Sequence, residues 1–323
     1  MSELAYRHVT PDQAELLLKV AKRYYFEQRS KVEIAGELGI SRFRVARLLE
    51  EGIARGAVRI TLHRPRERES QLSAQLKARY GLQHAIVVNS GNLSEPRLRE
   101  ALGRAGAKLL AGLLTDGDVL GVGWGRTVKA VAEAASDLPR CPVVQLSGIA
   151  GHPGENSMEL VRIFSGLTGE SAYPLYTPLL VPDAATAASL RRSPGVAETF
   201  GRFRDVSVAL VAIGSWNPPN SQLRTLFSAQ EKEMLAESGL QAEVGGVLLD
   251  AQGQEIVTRL SAQIMGITGP ELAAIPTVIA VAGHVTKARA IRSVLLSGFV
   301  NALVTDSAVA RVLLEEDHSS LLI

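Results

Sequence analysis

The sequence predicts an α/β chain in two parts, a small helical unit followed by a body built on a mainly parallel sheet. Three observations carry that expectation. Residues 30–62, SKVEIAGELGISRFRVARLLEEGIARGAVRITL, read as a helix, a three-residue turn, a second helix and a short β-wing. From residue 84 short Val/Ile/Leu runs alternate with amphipathic helical stretches, the pattern of a sheet covered on both faces. Between the two lies a charged break, HRPRERE at 63–69.

Thr10-Pro11 opens the first helix, with proline in the favoured first position. It is expected to run to about residue 27 on Leu16, Leu17, Val20, Tyr24 and Tyr25. Packing uses part of this set, and a tyrosine hydroxyl could also reach a phosphate. Ser30 and Glu33 form a capping-box pattern. Ile34, Ala35 and Leu38 supply one apolar face, and Gly39 is the left-handed residue that ends the helix. Ile40 plugs the turn and Ser41 caps the next helix. There Val45, Leu48 and Leu49 point inward. Phe43, Arg44 and Arg47 fall on the opposite side, with Arg42 in the first turn. Exposed arginines on the second helix of such a pair suit reading of the DNA major groove. Tyr24, Ser41, Arg42, Phe43, Arg44 and Arg47 are the expected contacts to double-stranded DNA. The competing reading is a plain helical hairpin with a solvated basic face.

Charge supports the DNA reading. Residues 19–68 hold 13 Lys/Arg against 6 Glu, a local +7 that leaves −5 for the rest of a chain whose net charge is +2. A basic module on a mildly acidic body suits an anionic partner at one end. Length (323 residues), 46% hydrophobic and 21% charged content fit two globular domains. Cys141 is the only cysteine, so no intrachain disulfide forms. No apolar run approaches membrane-spanning length, and the first residues lack a signal-peptide core. The expected location is cytoplasmic, with no membrane partner.

The predicted boundaries are 1–63 for the DNA-binding unit, 64–83 for a connecting helix and 84–323 for the body. Leu72, Leu76 and Tyr80 pattern the connecting helix, which either pairs with a second copy or docks on the body. In the body, strands at 85–88, 119–122 and 143–146 are each followed by a helix, at 94–114, 126–135 and 155–167. Further strands are expected at 206–213, 247–249, 277–282 and 302–305. The body is therefore read as Rossmann-like, with ligands beyond the carboxyl ends of its strands.

Two strand ends look like an anion site. Residues 119–128, VLGVGWGRTV, are a strand, a glycine-rich loop and a helix start. Around Trp124, Gly123 and Gly125 let the backbone approach a ligand closely, and Arg126 and Thr127 lie where the first free helix amides point outward. The loop is neither a dinucleotide fingerprint nor a Walker loop, and a tight strand-to-helix turn would explain its glycines equally. After residue 282, GHVTKARAI again follows a strand, and Lys287 sits near the helix start, where a cation opposes the macrodipole unless an anion is bound. Gln145 and Gly148 close a third strand, and Asp250 follows another, where it accepts sugar hydroxyls or holds its own Asp-Ala-Gln-Gly turn. His152 and His284 lie in candidate loops without ligand spacing to other donors, so no metal is expected.

Together these segments resemble the SorC/DeoR-type sugar-responsive bacterial transcription regulators. The likeness rests on YYF at 24–26, VEIAGELGIS at 32–41, VARLL at 45–49 and GAVRI at 56–60. In the body it rests on GWGRT at 123–127, QLSG at 145–148, AGHVTK at 282–287 and LVTD at 303–306. The resemblance implies a winged helix-turn-helix joined to an effector domain related to sugar-phosphate isomerases of the glucosamine-phosphate deaminase type. It implies homodimers or homotetramers on operator DNA, with a sugar phosphate, or a polyol, as effector. By motif position the 123–127 loop and Lys287 correspond to the phosphate site, and Asp250 to a sugar contact. The expected function is effector-controlled operator binding without cofactor or catalysis. The alternative is a sugar-phosphate isomerase or deaminase with an appended DNA-binding unit.

Overall fold

The computed structural model describes residues 11–54, 56–58, 65–91, 93–149 and 157–315. The chain divides into two compact units, Met1–Arg64 and Pro65–Ile323.

The first unit contains α1 (Pro11–Tyr25), α2 (Lys31–Leu38) and α3 (Arg42–Ala54). α1 ends earlier than its periodicity suggests, and Gln28 takes a left-handed φ of 54° just beyond it. At the start of α2 the Glu33 amide donates to the Ser30 hydroxyl while the Glu33 carboxylate accepts from the Ser30 amide. Gly39 ends it at φ 63°, a conformation that glycine adopts without steric cost. Leu17, Val20, Ile34, Val45, Leu48 and Leu49 interlock as the unit's core. Residues 59–62 of the expected wing lie outside the described residues. Val58 packs on the helical core and donates its amide to the Gly52 carbonyl.

The second unit opens with α4 (Pro65–Tyr80). The helix expected as a connector thus belongs to the body. Its Leu72 and Leu76 enter the body's core, and the Tyr80 hydroxyl donates to the Leu313 carbonyl. Next come β1 (His84–Val88), α5 (Glu95–Leu113), β2 (Leu120–Val122), α6 (Arg126–Ala134) and β3 (Val143–Gln145). They are followed by α7 (Ser157–Thr168), β4 (Ala172–Tyr173), α8 (Ala184–Arg191), α9 (Pro194–Gly201) and β5 (Val208–Ser215). After α10 (Ala229–Glu237), β6 (Leu240–Val244) and β7 (Val247–Asp250) make a hairpin. The last described elements are α11 (Gly269–Ala274), β8 (Thr277–Val281), α12 (Ala288–Ser297), β9 (Ala302–Asp306) and α13 (Ser307–Glu315).

Among the described residues seven strands run parallel in the order β1-β9-β8-β5-β2-β3-β4, and β6 joins β5 antiparallel. Alternation along each strand sorts its side chains to two faces. Leu120, Val122, Val208, Leu210, Ile279 and Val281 pack with α5, α6 and α7. Ala209, Val211, Val278, Ala280 and Leu303 pack with α4, α12 and α13. From β2 the chain adds β3 and β4 on one side, then returns with β5 on the other. The reversal opens a crevice beyond the carboxyl ends of β2 and β5, the place where open α/β sheets bind ligands.

Candidate functional site

A cavity of about 130 Å³ occupies this crevice. Its wall combines the loop after β2, the ends of β5 and β6, the turn after β8 and the first turns of α5. Trp124, Gly125, Arg126, Thr127 and Lys287 line it, so the two predicted anion loops meet.

Gly125 sits at φ 136°, and a Cβ there would come within 2.6 Å of the Ala212 Cβ. Only glycine makes this turn and approach. No side chain caps α6, so its first-turn amides have no capping side chain beside the cavity. The Arg126 guanidinium donates to Asn220 at 2.9 Å and stands 3.8 Å from Glu95, which also holds Arg99 at 2.6 Å.

Lys287 is only 9% exposed. It closes a 3-10 turn ahead of α12, and not the free first turn that the sequence suggests. The amides of Lys287 and Ala288 donate to His284 and Val285, so this second helix start offers fewer free donors than expected. The preceding turn is held by the His284 amide, which donates to the buried Asp306 carboxylate at 2.6 Å.

Facing Lys287 is a residue that sequence reasoning missed. Glu243, on β6, is buried and accepts from the Ser221 hydroxyl at 2.9 Å. A Cβ on Gly214 would collide with its carboxyl group. Burial pushes the Glu243 carboxyl up to about 7, against Ser221, Lys287 and the Gly246 amide, which all favour the carboxylate. Burial pushes the Lys287 ammonium down to about 8; Glu243 opposes this, and Arg126 and Arg99 add to it. The only sequence signal for Glu243 was a lone charge in the apolar run LQAEV at 240–244.

Other expected contacts take structural work. The Thr127 hydroxyl donates to the Val281 carbonyl at 2.6 Å, tying α6 to β8. The Gly123 amide donates to Leu210, extending the β2–β5 ladder, and the residue does not line the cavity. Gln145 is fully buried; its amide nitrogen donates to Ser147 and Ser157 while its oxygen accepts from Leu175. Gly148 lies against the backbone of Pro178. Asp250 accepts from the Gln252 and Gln254 amides, both at 2.8 Å, so its carboxylate holds its own turn outside the cavity lining. His152 lies outside the described residues. His284 reaches the cavity wall with Nδ1 2.8 Å from the Thr286 hydroxyl. Among the described residues no group of His, Cys, Asp and Glu is placed to hold a metal ion, and no helix is long and apolar enough to cross a membrane.

On the first unit, Arg42, Phe43, Arg44 and Arg47 are exposed along α3. Ser41 caps that helix, accepting from the Arg44 amide at 3.2 Å. Tyr24 is half-buried, edge-to-face with Tyr25 at 5.0 Å and packed on the helical core.

Residues 64–315 match the family model described as "Putative sugar-binding domain". The chain is 30% identical over 304 residues to the transcriptional regulator LsrR of Enterobacter sp. (strain 638), covering 93% of each chain. It is 27% identical to the sorbitol operon regulator of Klebsiella pneumoniae, covering 94% of this chain and 99% of that one. The crystal structure of the full-length sorbitol operon regulator SorC from Klebsiella pneumoniae superposes with a TM-score of 0.75 at 25% identity, covering 95% of this chain and 100% of that one. With the matched domain spanning most of the body, this chain belongs to the SorC/DeoR-type family of sugar-binding transcriptional regulators.

Proposed function

We propose that this chain is a DNA-binding regulator of carbohydrate metabolism whose operator affinity is set by a sugar-phosphate effector in the body's cavity. The first unit acts as a winged helix-turn-helix on duplex DNA, and the chain works as a homodimer or homotetramer. The body is the non-catalytic relative of sugar-phosphate isomerases of the glucosamine-phosphate deaminase type. Relatives named as a sorbitol operon regulator and a deoxyribonucleoside regulator support the carbohydrate setting.

One observation carries the effector half. Lys287 is a buried cation facing Glu243, whose carboxyl burial itself pushes toward the neutral form, in a cavity that also collects Arg99 and Arg126 beside Glu95. A buried charge is costly unless paired. A phosphate there would gain charge-assisted hydrogen bonds and the amides of α6. Such a ligand changes operator affinity only by favouring one subunit arrangement over another.

Thermal shift with a panel of sugar phosphates and their unphosphorylated sugars tests this, because a ligand of the folded state raises apparent stability by mass action. The expected result is stabilisation by a phosphate ester and none by its parent sugar. Lys287→Ala should weaken that ligand at least tenfold and leave ligand-free operator binding intact. Preference for the unphosphorylated sugar would overturn the phosphate assignment.

A second reading, sugar-phosphate isomerisation or deamination, is favoured by Glu243, a cavity carboxyl titrating at about 7 as a general acid–base group does. Sustained turnover of a bound sugar phosphate, abolished in Glu243→Gln, would establish that reading over the regulator.

A further inference from the structure

The most exposed apolar side chain on α3 is Phe43, 72% exposed in the helix's first turn. Phe43 is outside the unit's core cluster, and no aromatic ring among the described residues packs on it. Its one ring contact is with a cation: the Arg42 guanidinium stands 5.0 Å from the ring centroid. Arg47 lies four residues on and Arg44 three before Arg47, so Phe43, Arg44 and Arg47 share one side of the helix. An apolar ring framed by three arginines matches a surface that is anionic at its rim and apolar at one point of its floor. Duplex DNA has such a point in the major groove, the C5-methyl group of thymine.

We propose that Phe43 reads a thymine methyl in each operator half-site, with Arg42 stacked on its ring to fix the orientation and reach a backbone phosphate. This rests on the DNA-binding reading above and adds the base that the helix recognises. First-turn residues of a recognition helix are those that meet base edges. Arginines alone favour guanine and phosphate and do not distinguish thymine from uracil. Phe26 is more exposed, at 85%, but lies after α1 and off the reading helix, so it carries no such assignment.

The test begins by selecting binding duplexes from a random-sequence pool with the full-length protein. Each thymine of the selected site is then replaced singly by uracil, which deletes only the methyl group. At matched salt, one position per half-site should lose about fourfold in affinity, the worth of one buried methyl. Phe43→Ala should lose affinity for the thymine site and be indifferent to uracil there; Phe43→Leu should keep the preference. This double-mutant cycle isolates the ring–methyl contact from folding effects. Uracil tolerated at every position by the wild-type protein, or a thymine preference that survives in Phe43→Ala, would overturn the proposal. So would a change in oligomeric state on Phe43→Ala, which would make the ring part of a contact between copies. If the wild-type protein selects no sequence at all, the DNA-binding reading itself falls, an outcome distinct from selection without thymine dependence.

Discussion

Lys287 and Glu243 set the chemistry of the cavity, and burial decides the state of both. Lys287 was legible in the sequence because a cation beside a helix start is electrostatically out of place. Glu243 was not, because its burial comes from long-range packing of β6 on β5. Asp250 drew attention as a polar end to an apolar strand, and one oxygen of its carboxylate accepts the amides of its own turn. A short Asp-Ala-Gln-Gly segment contains nothing that separates the turn role from a ligand role. The buried pair has a consequence for stability. The Glu243 pKa is raised in the folded chain from its ordinary 4.5 to about 7, so the folded state holds a proton that the unfolded chain releases. The stability this contributes is full below pH 4.5 and is lost as pH rises through about 7. The pKa of Lys287 is depressed from 10.5 to about 8, so its contribution is present above pH 10.5 and is lost as pH falls through about 8. Together they place a minimum between the two folded values. Urea denaturation of Glu243→Gln should show a flatter decline between pH 5 and about 7 than the wild type. An unchanged slope would mean that other groups set it.

At the scale of elements, the Val/Ile/Leu strands and the capped helices were legible from local pattern. β4 escaped because two residues carry no period, and β6 because a buried glutamate interrupts its apolar run. The role of α4 was open from its sequence, since one apolar stripe serves a second copy or the body equally. Leu72 and Leu76 enter the body's core. The loop after β2 separates its two glycines. Gly125→Ala forces φ 136° on a residue with a Cβ and drives that atom against Ala212, so it should cost about 1–3 kcal/mol. Gly123→Ala meets its nearest neighbours at 3.4 Å, ordinary contact, and should cost clearly less. Chemical denaturation of the two variants side by side checks this ranking, and equal losses would contradict the strained-turn account.

Across the whole molecule, the strand order could not be read from sequence, because any alternation of strands and helices is compatible with several crossovers. The order nevertheless makes the site: β2 and β5 are neighbours although residues 123–207 separate them in the chain. Separate cores in Met1–Arg64 and Pro65–Ile323 favour separate melting. Calorimetry is expected to resolve two transitions, with an effector raising only that of the body. An equal shift of both would mean that ligand binding also stabilises the smaller unit.

The turn between β8 and α12 is fastened from behind by Asp306, which accepts the His284 amide through one carboxylate oxygen and the Ala308 and Val309 amides through the other. One buried side chain thereby joins the rear of the Lys287 turn to the start of α13, and α13 in turn receives the hydrogen bond from Tyr80 of α4. A ligand that stills the Lys287 turn therefore slows local opening along this path as well as at the cavity wall. Amide hydrogen exchange, followed with and without ligand, should show added protection at 284–288 beside the cavity and also at 307–313 and in the last turn of α4, two stretches that do not line it. Protection confined to the cavity lining would show that the occupied turn is mechanically isolated from the helix by which the body begins.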